Sequence, residues 1–269
     1  MTDITNNYPP KIVAHRGYAE RYPENSIAAC EAALLAGVQY IEIDIQLTAD
    51  HIAYLLHDEN LLRTVGCDIM ITDIDSTQLE SIVIKPNSPQ AKNIQFTRPP
   101  KLEEYVELML HWPNAYTFIE IKTESIEIYG HALVSQVILD VLKPILNRCA
   151  LISYNLDFLH SIKNLILTEK IKMPIGWILT HYDIHHYDKA CELGPAFLIC
   201  NYQKIDNQPL WSGAWQWVLY EIKDADLAIQ LYQKGADLIE TMAIENLLQD
   251  PRINTLNRHN THDNDHDIF

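Results

Sequence analysis

Paired cysteines, long apolar runs, a glycine-rich phosphate loop and basic stretches are all missing from this 269-residue chain. Cys30, Cys67, Cys149, Cys191 and Cys200 are odd in number and scattered, with no CxxC pair, which argues against a disulfide framework and for buried thiols in a reducing compartment. No run approaches the roughly eighteen apolar residues that a membrane span needs, and Met1 to Pro10 carries neither a basic stretch nor an apolar core. The expectation is a cytoplasmic protein with no membrane span. Lys and Arg number 20 against 36 Asp and Glu, a formal charge of −16, so the long-range field repels polyanions and anionic bilayers. Nucleic acid is therefore not an expected partner, and an anionic substrate would need its charge offset locally by a cation and a few placed bases. No GxGxxG follows any predicted strand, which weighs against a doubly wound dinucleotide fold. No fixed-period repeat and no Gly/Ser-rich linker divides the chain.

What is present is a rhythm of apolar runs and amphipathic stretches, with 48% apolar residues, enough for a full core. Ile12-Val-Ala reads as a strand; Asn25 or Ser26 offers an N-cap for a helix from Ile27 to Ala36, stopped at Gly37. Tyr40 to Leu47 alternates with period two, and Ala53 to Leu56 is a short further strand. Residues 59 to 100, with Pro86, Pro89, Pro99 and Pro100, break the rhythm and read as an insertion. It resumes with strands at 116–121, 150–153, 175–179, 196–200, 217–220 and 238–239, and with helices at 102–111, 126–142, 156–167, 224–234 and 243–249. Strands and helices alternating to this length indicate a parallel sheet, and about 250 residues is the usual size of a TIM (β/α)8 barrel. The reading is one domain over residues 1–256 and a disordered tail over 257–269.

Glu42 and Asp44 lie two apart on one strand and share a face with Tyr40 and Gln46, while Ile41, Ile43, Ile45 and Leu47 take the other. Phe118, Glu120 and Lys122 repeat the pattern on a separate strand. Two unpaired carboxylates facing a barrel axis are costly unless a cation meets them. Glu42, Asp44 and Glu120, with no HxH or Cys-rich set nearby, suit a hard ion such as Mg2+, Ca2+ or Mn2+ rather than zinc. His15 and His57 each follow a predicted strand, at the end of a barrel where active sites form, and two imidazoles divide proton removal and donation near neutral pH. Arg16 and Lys122 supply cations for a phosphate. His181, His185 and His186 read as a solvated loop without metal spacing, and Trp211, Trp215 and Trp217 chiefly as packing.

The ordered set His15-Arg16-Gly17, Pro23-Glu24-Asn25-Ser26, Glu42-x-Asp44-x-Gln46, His57-Asp58 and Glu120-Ile121-Lys122 resembles the glycerophosphodiester phosphodiesterases. Each tripeptide is weak alone; the set in this order over residues 12–123 is specific. The resemblance implies a TIM barrel with a small insertion after the second strand. It also implies hydrolysis of a small-molecule glycerophosphodiester to sn-glycerol 3-phosphate and an alcohol, with Mg2+ or Ca2+. Glu42, Asp44 and Glu120 then stand at the metal positions, His15 and His57 at the acid-base positions, and Arg16 and Lys122 at the phosphate contacts. The chain departs from the family pattern later: Tyr220-Glu221-Ile222-Lys223-Asp224 stands where Trp-Thr-Val-Asn-Asp is usual, and Thr241-Met242 where Thr-Asp is usual. Two other readings are a phospholipase D-like enzyme acting on lysophospholipid or sphingomyelin head groups, and a catalytically silent phosphate-binding barrel.

Overall fold

The computed structural model describes residues 10–84 and 98–257. The expected tail lies outside these residues from 258 onward, as does the 85–97 part of the insertion. Nine strands form one sheet: β1 (Lys11–His15), β2 (Tyr40–Leu47), β3 (Ala53–Leu55), β4 (Tyr116–Ile121), β5 (Cys149–Ser153), β6 (Ile175–Ile178), β7 (Phe197–Asn201), β8 (Gln216–Tyr220) and β9 (Leu238–Thr241). Eight of them run parallel and close on themselves, because β1 pairs with both β2 and β9. The fold is a TIM barrel. The exception is β3, which pairs antiparallel with β2 outside the ring, so the strand expected at 53–56 is no member of the barrel. Sequence periodicity reports only that a segment is extended; two to three residues cannot reveal which edge they join.

The alternation on β2 sorts the two cores. Ile41, Ile43, Ile45 and Leu47 face outward and are fully buried under the helices, in one cluster with Leu102, Tyr105, Ile138 and Phe158. Inside the ring, Val13, Phe118, Ala150, Ile152, Ile178, Phe197, Ile199, Val218 and Leu238 pack on one another, with Tyr40 and Tyr116 against them. The Phe118 and Phe197 rings meet edge-on, centroids 4.9 Å apart. Burying each such side chain contributes about 1.5–3 kcal/mol, so the N-terminal half of the barrel is a solid plug. The carboxylates, bases and histidine of the inner face, Glu42, Asp44, Glu120, Glu240 and His15, lie above it. Gly176 is needed in this interior, since a Cβ there would lie 2.9 Å from side-chain atoms of both Ile152 and Ile199.

Helix boundaries follow local chemistry. Ser26, not Asn25, caps the helix Ile27–Leu35, accepting from the Ala29 amide. The helix after β4 starts at Thr123, earlier than the expected Ile126, and is interrupted at Gly130, whose φ of 80° and ψ of 158° are non-helical. Thr123–Arg148 is a stretch long and apolar enough to cross a bilayer by composition alone. Here it is an outer layer of the barrel, with Val134, Ile138, Leu139 and Leu142 buried. The helix Ile184–Leu193 takes His185 and His186, expected in a solvated loop, into its first turn: Asp183 caps it through the His186 amide and Gly194 ends it in the left-handed conformation. Part of the insertion has its own small core, in which Leu61, Val65, Ile71 and Leu79 pack with Tyr54 and Leu56.

Candidate active site

The C-terminal end of the barrel gathers the seven residues singled out above. Parallel pairing sets Glu42 opposite His15, and Asp44 opposite Glu120, so residues 76 apart in sequence become neighbours. His15, Arg16, Glu42, His57, Glu120 and Lys122 line one cavity of about 200 Å³. Asp44 lies beneath it with no exposed surface. The opposite wall is apolar, formed by Ile152, Ile178 and Ile199, with Tyr154 and Tyr220 bridging above through their hydroxyls at 2.7 Å. Gln46 points inward as well but is engaged elsewhere: its Oε1 accepts from Ser125, fastening the helix after β4.

Oxygens of Glu42, Asp44 and Glu120 lie within 4.8 Å of one another, and all three residues are buried. One end of this cluster is neutralised by bases. Lys122 Nζ is 2.7 Å from Glu120 Oε1 and 3.3 Å from Asp44 Oδ1, while Arg16 Nε is 3.0 Å from Asp44 Oδ2. Burial raises Asp44, but Arg16 and Lys122 outweigh it and hold this carboxyl well below its usual range. Glu42 differs. Burial, followed by Asp44, Glu240 and Glu120, pushes it well above the usual range, and its buried Oε1 has no hydrogen-bond partner. An orphaned carboxylate oxygen beside two further carboxylates fits a hard divalent cation, which would supply the missing partner.

Backbone conformation delivers the bases to the same place. Arg16 sits at φ 58° and Gly17 at φ 76°, a sharp turn directly after β1. A Cβ on Gly17 would fall 2.6 Å from the Ala29 carbonyl carbon, so only glycine lets the turn approach the following helix. Asn25, also left-handed at φ 55°, holds Asp44 from both sides: its Nδ2 donates to Asp44 Oδ2 at 2.8 Å, and its Oδ1 accepts from the Asp44 amide at 3.1 Å. Glu24 accepts from Arg16 at 3.1 Å and from Arg63 of the insertion at 2.6 Å. Arg63 also reaches Asp58, whose Oδ1 lies 2.6 Å from His57 Nδ1. A chain of charges thus connects the insertion to Arg16 on one side and His57 on the other.

The two histidines sit in contrasting fields. Burial lowers His15, but Glu240 and the hydrogen bond that its ring donates to Glu221 outweigh it and raise the imidazole above its ordinary value. Burial lowers His57, and Arg16 and Lys122 add to this, leaving it below that value despite Asp44. Glu240 was not singled out in the sequence, and Glu221 only as part of the departing stretch 220–224, with no role assigned. Glu240 follows Leu238 by two on β9, so it faces the barrel interior, where an acid is unusual; burial first, then neighbouring carboxylates, push it up to about 7. Trp211 stacks on Tyr182 and Trp217 meets it at a tilt on the outside of the barrel, so these tryptophans pack rather than line the cavity.

The sequence profile of the glycerophosphoryl diester phosphodiesterase family matches residues 15–208. The chain belongs to that family. A glycerophosphodiester phosphodiesterase from Bacillus altitudinis is 35% identical over 112 residues, 42% of this chain and 45% of that protein. A human lysophospholipase D is 31% identical over 119 residues, 43% of this chain and 37% of its own. The chain thus spans less than half the length of these curated relatives. Among solved structures of the same fold, an Oleispira antarctica phosphodiesterase in complex with the product sn-glycerol-3-phosphate superposes with a TM-score of 0.74 at 22% identity, covering 89% of this chain and 95% of the other. The family's profile ends before β8, so the stretch carrying Tyr220, Glu221 and Glu240 lies outside the matched residues.

Proposed function

We propose that this chain hydrolyses glycerophosphodiesters to sn-glycerol 3-phosphate and an alcohol, using a divalent cation, Mg2+ or Ca2+. The observation that carries this reading is the joint placement of two histidines, three clustered carboxylates and two bases around one cavity of about 200 Å³. A binder alone has little use for an acid-base pair. The Oleispira enzyme, whose bound product is sn-glycerol-3-phosphate, supports the substrate class.

Glu42, Asp44 and Glu120 would hold the ion. When bound, it supplies charge stabilisation at the phosphoryl oxygens, a large part of catalysis in such sites. Arg16 and Lys122 bind the nonbridging oxygens and set the phosphate against the two imidazoles. His15 and His57 are the acid-base pair: one takes the proton from the attacking hydroxyl, the other gives one to the departing alkoxide. Both rings have a carboxylate at Nδ1, Glu221 for His15 and Asp58 for His57, which leaves Nε2 as the exchanging atom in each. Tyr154, Tyr220 and the isoleucine wall exclude water from the side opposite the charges. Five free cysteines, three of them buried, support a reducing, cytoplasmic compartment.

A lysophospholipid substrate is the second reading, favoured by the human relative and by an adjoining depression of about 460 Å³. This depression runs from His57 and Lys122 past Leu62, which is exposed. Phosphorus NMR of the protein with glycerophosphodiesters and a lysophospholipid, each with Mg2+, Ca2+ and chelator, tests both. Release of sn-glycerol 3-phosphate that stops in chelator is expected. No turnover of any diester with either ion would overturn the proposal. His15→Ala and His57→Ala should each lower turnover at least about a hundredfold at fixed metal; wild-type rates from both would remove their assigned roles.

A further inference from the structure

Glu221 follows β8 directly, and its Oε2 lies 2.8 Å from His15 Nδ1. Its other oxygen, Oε1, accepts from the Met242 backbone amide at 2.7 Å and lies 3.4 Å from Thr241 Oγ1. The carboxylate is therefore anchored to the end of β9 before it reaches the imidazole, and its direction is set by the barrel rather than by a mobile side chain. A carboxylate only accepts, so the ring atom against it is the donor.

We propose that Glu221 is the positioning residue for His15, holding the imidazole with its proton on Nδ1 and Nε2 turned into the pocket. Nε2 is the atom that lies 3.5 Å from Glu240 Oε1 and 3.8 Å from Glu42 Oε2, on the charged wall of the cavity. His57 obtains the same orientation locally, from the adjacent Asp58 at 2.6 Å. For His15 the partner comes from a position 206 residues away, so the ring's orientation depends on barrel closure between β8, β9 and β1. Glu221 touches no substrate in this account; it acts through His15, and the inference rests on the reading of His15 as an acid-base group.

Glu221→Gln separates this role from a structural one. If the glutamine oxygen keeps the Met242 amide, its NH2 faces Nδ1, and a donor there drives the ring proton to Nε2. Long-range nitrogen-proton spectra of labelled protein, taken above the ring's titration and assigned by the loss of signals in His15→Asn, read the tautomer directly. The wild type should show Nδ1 protonated and the variant Nε2 protonated. The kcat should fall about 10–100-fold, as it does for groups that orient another site residue, with KM changed less than about twofold. An unchanged tautomer together with unchanged kcat would overturn the proposal. Were the variant not to fold, a wild-type His15 protonated on Nε2 would overturn it alone. A wild type without diesterase activity would defeat the functional reading, while the nitrogen spectra would still decide the orientation.

Discussion

Replacing Glu42 by glutamine should make the metal-free protein more stable while weakening its response to a cation. Glu42 has 2% of its surface exposed, one oxygen accepts from the Arg16 amide at 3.1 Å, and the other is buried without a partner. A buried, unsatisfied polar group costs about 1–3 kcal/mol. Three carboxylates, Asp44, Glu120 and Glu240, outweigh Arg16 among its charged neighbours. An amide NH2 in place of Oε1 would meet carboxylates instead of being repelled by them, so most of that cost should be recovered. At about 2–4 °C per kcal/mol for a domain of this size, the melting temperature in chelator should rise by about 2–10 °C. A wild-type protein that binds the ion at a hundred times its Kd gains about 2.7 kcal/mol from it, and Glu42→Gln should gain much less, because one of three anionic ligands is gone. Thermal melts of both proteins in chelator and in a titration of Mg2+ or Ca2+ measure the two effects. If Glu42→Gln melts below the wild type in chelator, or if both respond equally to the ion, the account of Glu42 as an uncompensated buried ligand is wrong.

Three further outcomes follow from the same geometry. In chelator, urea-melt stability should fall as pH rises from about 4.5 to 7: Glu240, pushed up to about 7 chiefly by burial, and Glu42, also raised by burial, bind protons more tightly folded than unfolded. His15, raised as well, adds stability that is complete below 6.5 and is lost above it, whereas Asp44, held low, contributes above 3.8 and loses its share in acid; a saturating cation should flatten the decline, and a flat profile in chelator would contradict the assigned shifts. Arg63→Met removes a guanidinium from buried Glu24 and from Asp58, so stability should drop by about 1–3 kcal/mol and kcat/KM by about tenfold, read by urea melts and steady-state kinetics; wild-type values of both would discount the charge chain. Gly17→Ala forces a methyl into the Ala29 backbone at positive φ and should cost about 2–5 kcal/mol, and a urea midpoint within error of the wild type would refute the close-packing argument.

Much of the barrel was legible because its determinants are local. The alternation in Tyr40–Leu47 and in Tyr116–Lys122 states which side chains face the axis, and a strand of period two has no freedom to rearrange them. The positions of Glu42, Asp44, Glu120 and Lys122 on one inner face follow from those short segments alone. The same local information leaves open which strand β3 pairs with, a matter of chain return, and places His185 and His186 in a loop although the caps Asp183 and Gly194 hold them in the helix Ile184–Leu193.

The amino-acid order by itself determined the strand-helix rhythm, the family motifs and the residue types of the site, since periodicity, caps and short-range motifs are carried by neighbours in the chain. Only the closed barrel decided which charges meet. Asn25 grips Asp44, Arg63 reaches back to Glu24, and Glu221 and Glu240 arrive at His15 from the far end of the sequence. Those contacts are set by the pairing of β1 with β2 and β9, a long-range closure to which no local pattern of residues is sensitive.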